Sequence, residues 1–281
     1  MKIGVIDVGG GFRGIYAAGV LDRCLEDQVQ FDYCIGVSAG SANVASYLAG
    51  QKGRNYVFYS EYGRRRKYMS LRNFIFKKSY IDLDYVYSTL SNSDGEYPLD
   101  YRKIAENGAE MEVVATDAAD GSAKYFTKAD IRQDEYGIFK ASSAIPMVCH
   151  PYEVGGRFYY DGAVSDPIPL ERALERGCDK VVLILTKPAD IPRSPERDQK
   201  LAGMLKKKYP QIAEGLAQRA ERYNRGVALA RKLEAEGRAL IIAPESTDGA
   251  DTLTRKKEIL GRFYRRGVRD GGKIREFAEK K

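Results

Sequence analysis

A serine, an aspartate and a run of glycines are the residues here that could do chemistry, and the chain holds a single histidine to help them. The serine is Ser38, inside Gly36-Val37-Ser38-Ala39-Gly40. This is G-x-S-x-G, set after an apolar run at 33–37 and before a small-residue stretch at 41–48. A serine in that setting sits on a tight strand-to-helix turn that thrusts its hydroxyl outward. Gly36 and Gly40 are needed at its flanks, because a side chain there would clash with the adjoining strand and helix. A helix starting near Gly40 would aim its N-terminal amides and positive dipole end at the reaction site.

A serine hydroxyl needs a base before it becomes a nucleophile. The usual base is histidine held by a carboxylate. The lone His150 lies in the apolar stretch PMVCHPYEV, between Cys149 and Pro151, and reads as structural. Either it completes an ordinary triad or a carboxylate takes the proton directly. Asp161, in Tyr160-Asp161-Gly162-Ala163, is the natural carboxylate. Asp-Gly alone is a common turn. Here it follows a strand, at the kind of junction where catalytic residues of α/β folds collect, and a water-poor site would raise its basicity.

The glycine run is Gly9-Gly10-Gly11-Phe12-Arg13-Gly14. Bare glycines let backbone N–H groups converge on one small anion, as an oxyanion hole requires. Arg13 could hold this loop or meet a phosphate headgroup. The same segment matches the dinucleotide fingerprint G-x-G-x-x-G. That reading needs an acid at the end of the second strand, yet Asp32 lies before it. An actin-like phosphate loop, suggested by IDVGGG, fits less well still.

These residues must be positioned by strands and helices in alternation. Residues 3–8 and 33–37 read as buried parallel strands, with helices at 15–26 and 41–48. Further strands are expected at 111–116, 157–160 and 180–185, a helix start at 127–132, and helices at 137–144 and 169–176, the last closed by Gly177. The pattern predicts an α/β fold with a mostly parallel central sheet. The proline-rich stretch 188–198 is the best boundary. Beyond it, Ile212, Leu216, Tyr223, Val227, Ala230 and Leu233 recur at helical spacing. A last strand at 239–243 and an amphipathic helix at 252–266 follow. This helical extension, 195–281, should pack back on the domain formed by 3–190. Residues 53–81 differ in character: basic and aromatic residues interleave through 63–78. They form either a solvated excursion or a lid that meets headgroups.

Composition sets wider bounds. The chain has 281 residues, 43% of them hydrophobic, enough for a sizeable core. Its net charge of +7 suits anionic surfaces, without choosing between phospholipid and nucleic acid. Cys24, Cys34, Cys149 and Cys178 lack zinc-type spacing and read as buried thiols of a reducing, cytoplasmic setting. No apolar stretch is long enough to span a bilayer, so membrane contact would be peripheral, at the inner face.

Taken together, GGGFRG at 9–14, GVSAG at 36–40, ASSAIP at 141–146 and DGA at 161–163 resemble the patatin-like phospholipases over roughly residues 3–190. The resemblance implies a three-layer fold and a Ser38–Asp161 dyad. It implies oxyanion donors at Gly10, Gly11 and Arg13. It also implies a lipid acyl ester as substrate, with no metal and no cofactor; no nucleic-acid partner is expected. A catalytically weak lipid-binding or regulatory module is the alternative; nucleotide binding is the more remote one.

Overall fold

The computed structural model describes residues 1–280. Strand β1 (Ile3–Asp7) is buried along its whole length, as a strand covered on both faces must be. A 3-10 turn (Gly11–Arg13) leads into α1 (Gly14–Glu26), and β2 (Tyr33–Val37) with α2 (Ala39–Leu48) repeats the unit. Then come α3 (Arg54–Ser60), α4 (Leu71–Lys77), a π-helical turn at Tyr85–Thr89 and α5 (Tyr101–Glu106). Strand β3 (Glu110–Asp117) turns back into β4 (Ala123–Thr127), and α6 (Gly137–Ser142), β5 (Tyr152–Val154) and β6 (Arg157–Asp161) follow. The chain continues through α7 (Leu170–Glu175), β7 (Lys180–Ile184), α8 (Glu196–Leu205) and α9 (Pro210–Ala235). It closes with β8 (Ala239–Ile242), α10 (Lys257–Gly271) and α11 (Ile274–Glu279).

The strands form one sheet in the order β5-β6-β3-β2-β1-β7-β8, with β4 also paired to β3. The five strands from β3 to β8 run parallel; β4 and β6 each pair antiparallel with β3, and β5 pairs antiparallel with β6. Side chains alternate between faces as the pleat requires. Val5, Cys34 and Val182 join the core beneath α1, α2 and α10. Ile6, Ile35 and Leu183 join the opposite core with Tyr223, Val227 and Ala230 of α9. The result is three layers, helix on sheet on helix.

The C-terminal region is woven into these layers. Strand β8 extends the sheet beyond β7. Helix α10 lies backbone to backbone on α1: a Cβ on Gly267 would stand 2.0 Å from the Tyr16 carbonyl oxygen, and one on Gly19 2.3 Å from that of Tyr264. Tyr16 donates to Asp270 at 2.9 Å and Tyr264 to Asp22 at 2.7 Å, tying the two helices at both ends. All four cysteines are buried and free.

Three local expectations change. The helix start at 127–132 is a single 3-10 turn, Lys128–Asp130. Thr127 and Asp130 cap it reciprocally, but no apolar run follows to propagate a helix. Edge strands β4 and β5 bury few side chains, so apolar alternation does not announce them. The last long helix begins at Lys257 rather than 252, and the Thr252 carbonyl accepts from the Phe12 amide at 3.1 Å instead of from a helix of its own. The freed loop serves the site instead.

Candidate active site

Ser38 sits between β2 and α2 with φ 56° and ψ −129°, a conformation costly for any residue with a side chain. The surroundings hold it there. Its amide donates to Ser142 Oγ at 2.9 Å, and the Ser142 hydroxyl donates to the Val114 carbonyl at 2.5 Å. Its carbonyl accepts from the amide and the hydroxyl of Ser41 at 3.0 and 2.7 Å. The flanking glycines are sterically required: a Cβ on Gly36 would lie 2.5 Å from Ser41 Cα, and one on Gly40 2.3 Å from the Asp7 carbonyl oxygen. The Ser38 hydroxyl caps nothing in its own helix, so it is left for another partner.

Asp161 comes to the same level of the sheet. Sheet register brings the two together: Val37 pairs with Val114, and the next residue of β3, Ala115, pairs with Asp161. Ser38 and Asp161 therefore reach one level of the sheet from opposite strand directions. Asp161 ends an antiparallel strand, so the parallel-strand rule that pointed to it in the sequence is not what places it. The Ala163 amide donates to Asp161 Oδ1 at 2.9 Å. Burial raises the Asp161 pKa above the ordinary carboxylate range, while the nearby Ser38 hydroxyl and the Ala163 amide pull the other way. Its own amide is fixed to the Ala144 carbonyl at 2.9 Å. Residues 141–146 thus brace both members of the pair, through Ser142 and Ala144.

The glycine loop stands beside Ser38. Gly9, Gly10 and Gly11 all have positive φ (64°, 124° and 61°), and a Cβ on Gly9 would be 2.2 Å from the Val37 carbonyl oxygen. Asp7 anchors the loop, accepting from the Gly9 amide at 2.9 Å and from Asn43 at 2.8 Å. Complete burial pushes the Asp7 pKa up to about 6 despite those bonds. The Phe12 amide is taken by the Thr252 carbonyl at 3.1 Å, whereas the amides of Gly10 and Gly11 have no hydrogen-bond partner among the described residues. Arg13 lies within the 3-10 turn, and its guanidinium donates to Thr252 Oγ1 at 3.0 Å. Gly14 packs under Tyr59, whose hydroxyl would be 2.5 Å from a Cβ there, and Gly162 packs on β3, 2.2 Å from the Val114 carbonyl oxygen by the same measure.

A small cavity of about 80 Å³ opens on Ser38 and Gly11. Tyr68, Ile81, Leu83 and Tyr87 supply much of its apolar wall, and Thr252 closes one side. Its size is well under the roughly 300 Å³ of an ordinary small-molecule site.

His150 is exposed, and its Nδ1 meets Ser79 Oγ at 2.6 Å. It makes no hydrogen bond to Ser38 or Asp161 among the described residues. Asp32 accepts from the Ile3 amide at 2.7 Å, at the end of the sheet remote from the glycine loop. Sequence reasoning missed Asp7, Ser142 and Thr252. Only Ser142 had a signal, in the ASSAIP segment.

A mostly parallel, helix-flanked sheet with a serine elbow and a glycine loop at the C-terminal ends of its central strands defines a class of three-layer α/β proteins. The sequence profile described as patatin-like phospholipase matches residues 8–174, more than half the chain, and the chain belongs to that family. Residues 209–277 match a second profile, described as a domain of unknown function, DUF6363. Uncharacterized protein YjjU of Escherichia coli (strain K12) is 29% identical over 200 residues, covering 69% of this chain and 55% of that protein. The chain thus spans little more than half of that relative's length. The crystal structure of VipD from Legionella pneumophila superposes with a TM-score of 0.51 at 14% identity, covering 98% of this chain and 66% of that one. The VipD likeness is one of fold. No described helix is long and apolar enough to cross a membrane.

Proposed function

We propose that the protein hydrolyses lipid acyl esters through a Ser38–Asp161 dyad. Asp161 takes the Ser38 proton as the oxygen attacks the ester carbonyl. The oxyanion binds at the glycine loop, on the amides of Gly10 and Gly11, with Arg13 holding the loop in place. The alcohol leaves with the proton from Asp161. Water, deprotonated in turn by Asp161, then attacks the acyl-serine and releases the fatty acid. The observation that supports this reading most is the sheet register that brings the strained Ser38 turn level with the buried Asp161, a carboxyl whose pKa burial has raised. Family membership supports the lipid substrate, and the apolar cavity wall agrees with it.

The test uses a fluorophosphonate probe and a p-nitrophenyl acyl ester. Wild-type protein should be labelled and active. Ser38→Ala should lose labelling and fall on the order of a thousandfold or more in rate while staying folded. Full activity in that variant would remove Ser38 from the mechanism. A folded wild type that neither labels nor turns over would be a lipid-binding module instead.

A further inference from the structure

Helix α4 is built inside out. Its buried side chain is the polar Asn73, whose Nδ2 donates to the carbonyls of Lys67 and Tyr68 at 3.0 and 3.3 Å. Its apolar side chains face solvent: Leu71 is 74% exposed, Phe74 51%, Ile75 70% and Phe76 77%. A surface helix of a globular protein does the reverse. Single exposed apolar residues are ordinary, but four in six consecutive positions make a patch that wants a partner.

The charge around the patch says which partner. Lys77 is paired with Asp82 at 2.5 Å and Arg65 with Glu96 at 2.8 Å. Arg66, Lys67, Arg72, Lys78 and Arg255 have no carboxylate partner among the described residues. An open groove of about 980 Å³ beside the helix is lined by several of them. A nucleic acid would meet the cations and leave the apolar face wet. A second copy of the patch would set cation against cation. A bilayer with anionic headgroups satisfies both, phosphates at the ring of cations and acyl chains at the centre.

The placement of α4 also fits. The segments on either side of it pair: the Asp82 amide donates to the Tyr68 carbonyl at 2.8 Å and the Ser70 amide to that of Tyr80 at 3.2 Å, around an antiparallel bridge between Met69 and Ile81. Tyr68 and Ile81 of this stem line the Ser38 cavity. The outward helix and the cavity wall are two sides of one short structure.

We propose that α4 docks on an anionic phospholipid surface. Leu71, Phe74, Ile75 and Phe76 enter the boundary between headgroups and acyl chains. The unpaired cations around them bind phosphates, and the Ser38 cavity faces the lipid that supplies its ester. Only the last clause rests on the hydrolase reading.

Binding is measured by co-flotation of the full chain, as Ser38→Ala so that lipid is not consumed. The vesicles are phosphatidylcholine alone or roughly 3:1 phosphatidylcholine to phosphatidylglycerol. Binding to the anionic vesicles should weaken with salt and fall about tenfold or more when Leu71→Asp and Ile75→Asp are added. In the Ser38 background, the same pair should leave hydrolysis of a soluble short-chain p-nitrophenyl ester unchanged. Undiminished flotation of the doubly substituted protein would overturn the proposal. So would a parent that ignores anionic vesicles, or one that self-associates through the patch in place of binding them. Absence of soluble-ester hydrolysis in the wild type would sink the enzymatic reading and leave the flotation result standing.

Discussion

The serine elbow and helix α4 are both short, and they spend side chains in opposite ways. At the elbow, strained backbone is pinned by bonds to its amide and its carbonyl, and the pinning residues are themselves bonded. In α4 the apolar side chains are left in water and a polar one is buried. The first arrangement fixes atoms in advance of reaction. The second is complete only when something covers it. The same chain thus separates preorganisation from recruitment, and places them either side of one cavity wall.

If the centre is the rigid partner of this pair, substitutions there should act on rate and scarcely on lipid binding. Asp161→Asn should give the largest effect, a loss of activity on the order of a thousandfold with flotation unchanged. The pH dependence follows from the raised pKa. Asp161 must be ionised to accept a proton, so the wild-type rate should fall as pH drops through that raised value. The acid limb of the rate profile should therefore lie above about 4, where an unperturbed carboxylate titrates. Because the fold favours the protonated form, stability is lost as pH rises through the raised pKa. Asp161→Asn should accordingly melt no lower than wild type at neutral pH. A limb at or below the ordinary range, or a sharp drop in melting temperature, would count against the assignment.

A smaller effect should come from the C-terminal loop that touches the centre. Thr252→Val keeps the carbonyl that holds the Phe12 amide and removes the hydroxyl that receives Arg13. Loss of one such bond is worth about 1 kcal/mol, so kcat should fall roughly fivefold with KM little changed. A wild-type rate in this variant would mean that the loop is held without its last tie. A change confined to KM would point instead to Thr252 as part of the acyl wall.

How much of this was legible in the sequence follows from where the constraints are local. Gly36, Gly40 and Gly9 each face backbone at under 3 Å from a would-be Cβ, so their positions are written into the motif itself. The buried parallel strands announce themselves as apolar runs, and β1, β2 and β7 lie where the runs do. Strands β4 and β5 are held by pairing with β3 and β6 rather than by burial, so the residues carry little trace of them. Thr252 reaches Arg13 across 239 residues, and no local pattern encodes such a contact. Asp7 lies at the end of an apolar run whose pattern gives no hint that its carboxyl anchors the glycine loop. In residues 63–78 the mixture of cations and aromatics was visible, but which of them face outward depends on Asn73 turning inward.

The positive φ of Ser38 has a consequence for the molecule as a whole. Strain of this kind amounts to about 1–3 kcal/mol, and glycine is the residue that escapes it. Glycine also loosens the unfolded chain, a counter-effect of about 0.4–1 kcal/mol. The first outweighs the second, so Ser38→Gly should resist urea better than Ser38→Ala, which keeps a Cβ in the same contorted place. A relative with glycine at this position would be the sturdier protein, and a chain that keeps the serine carries a permanent handicap at that turn.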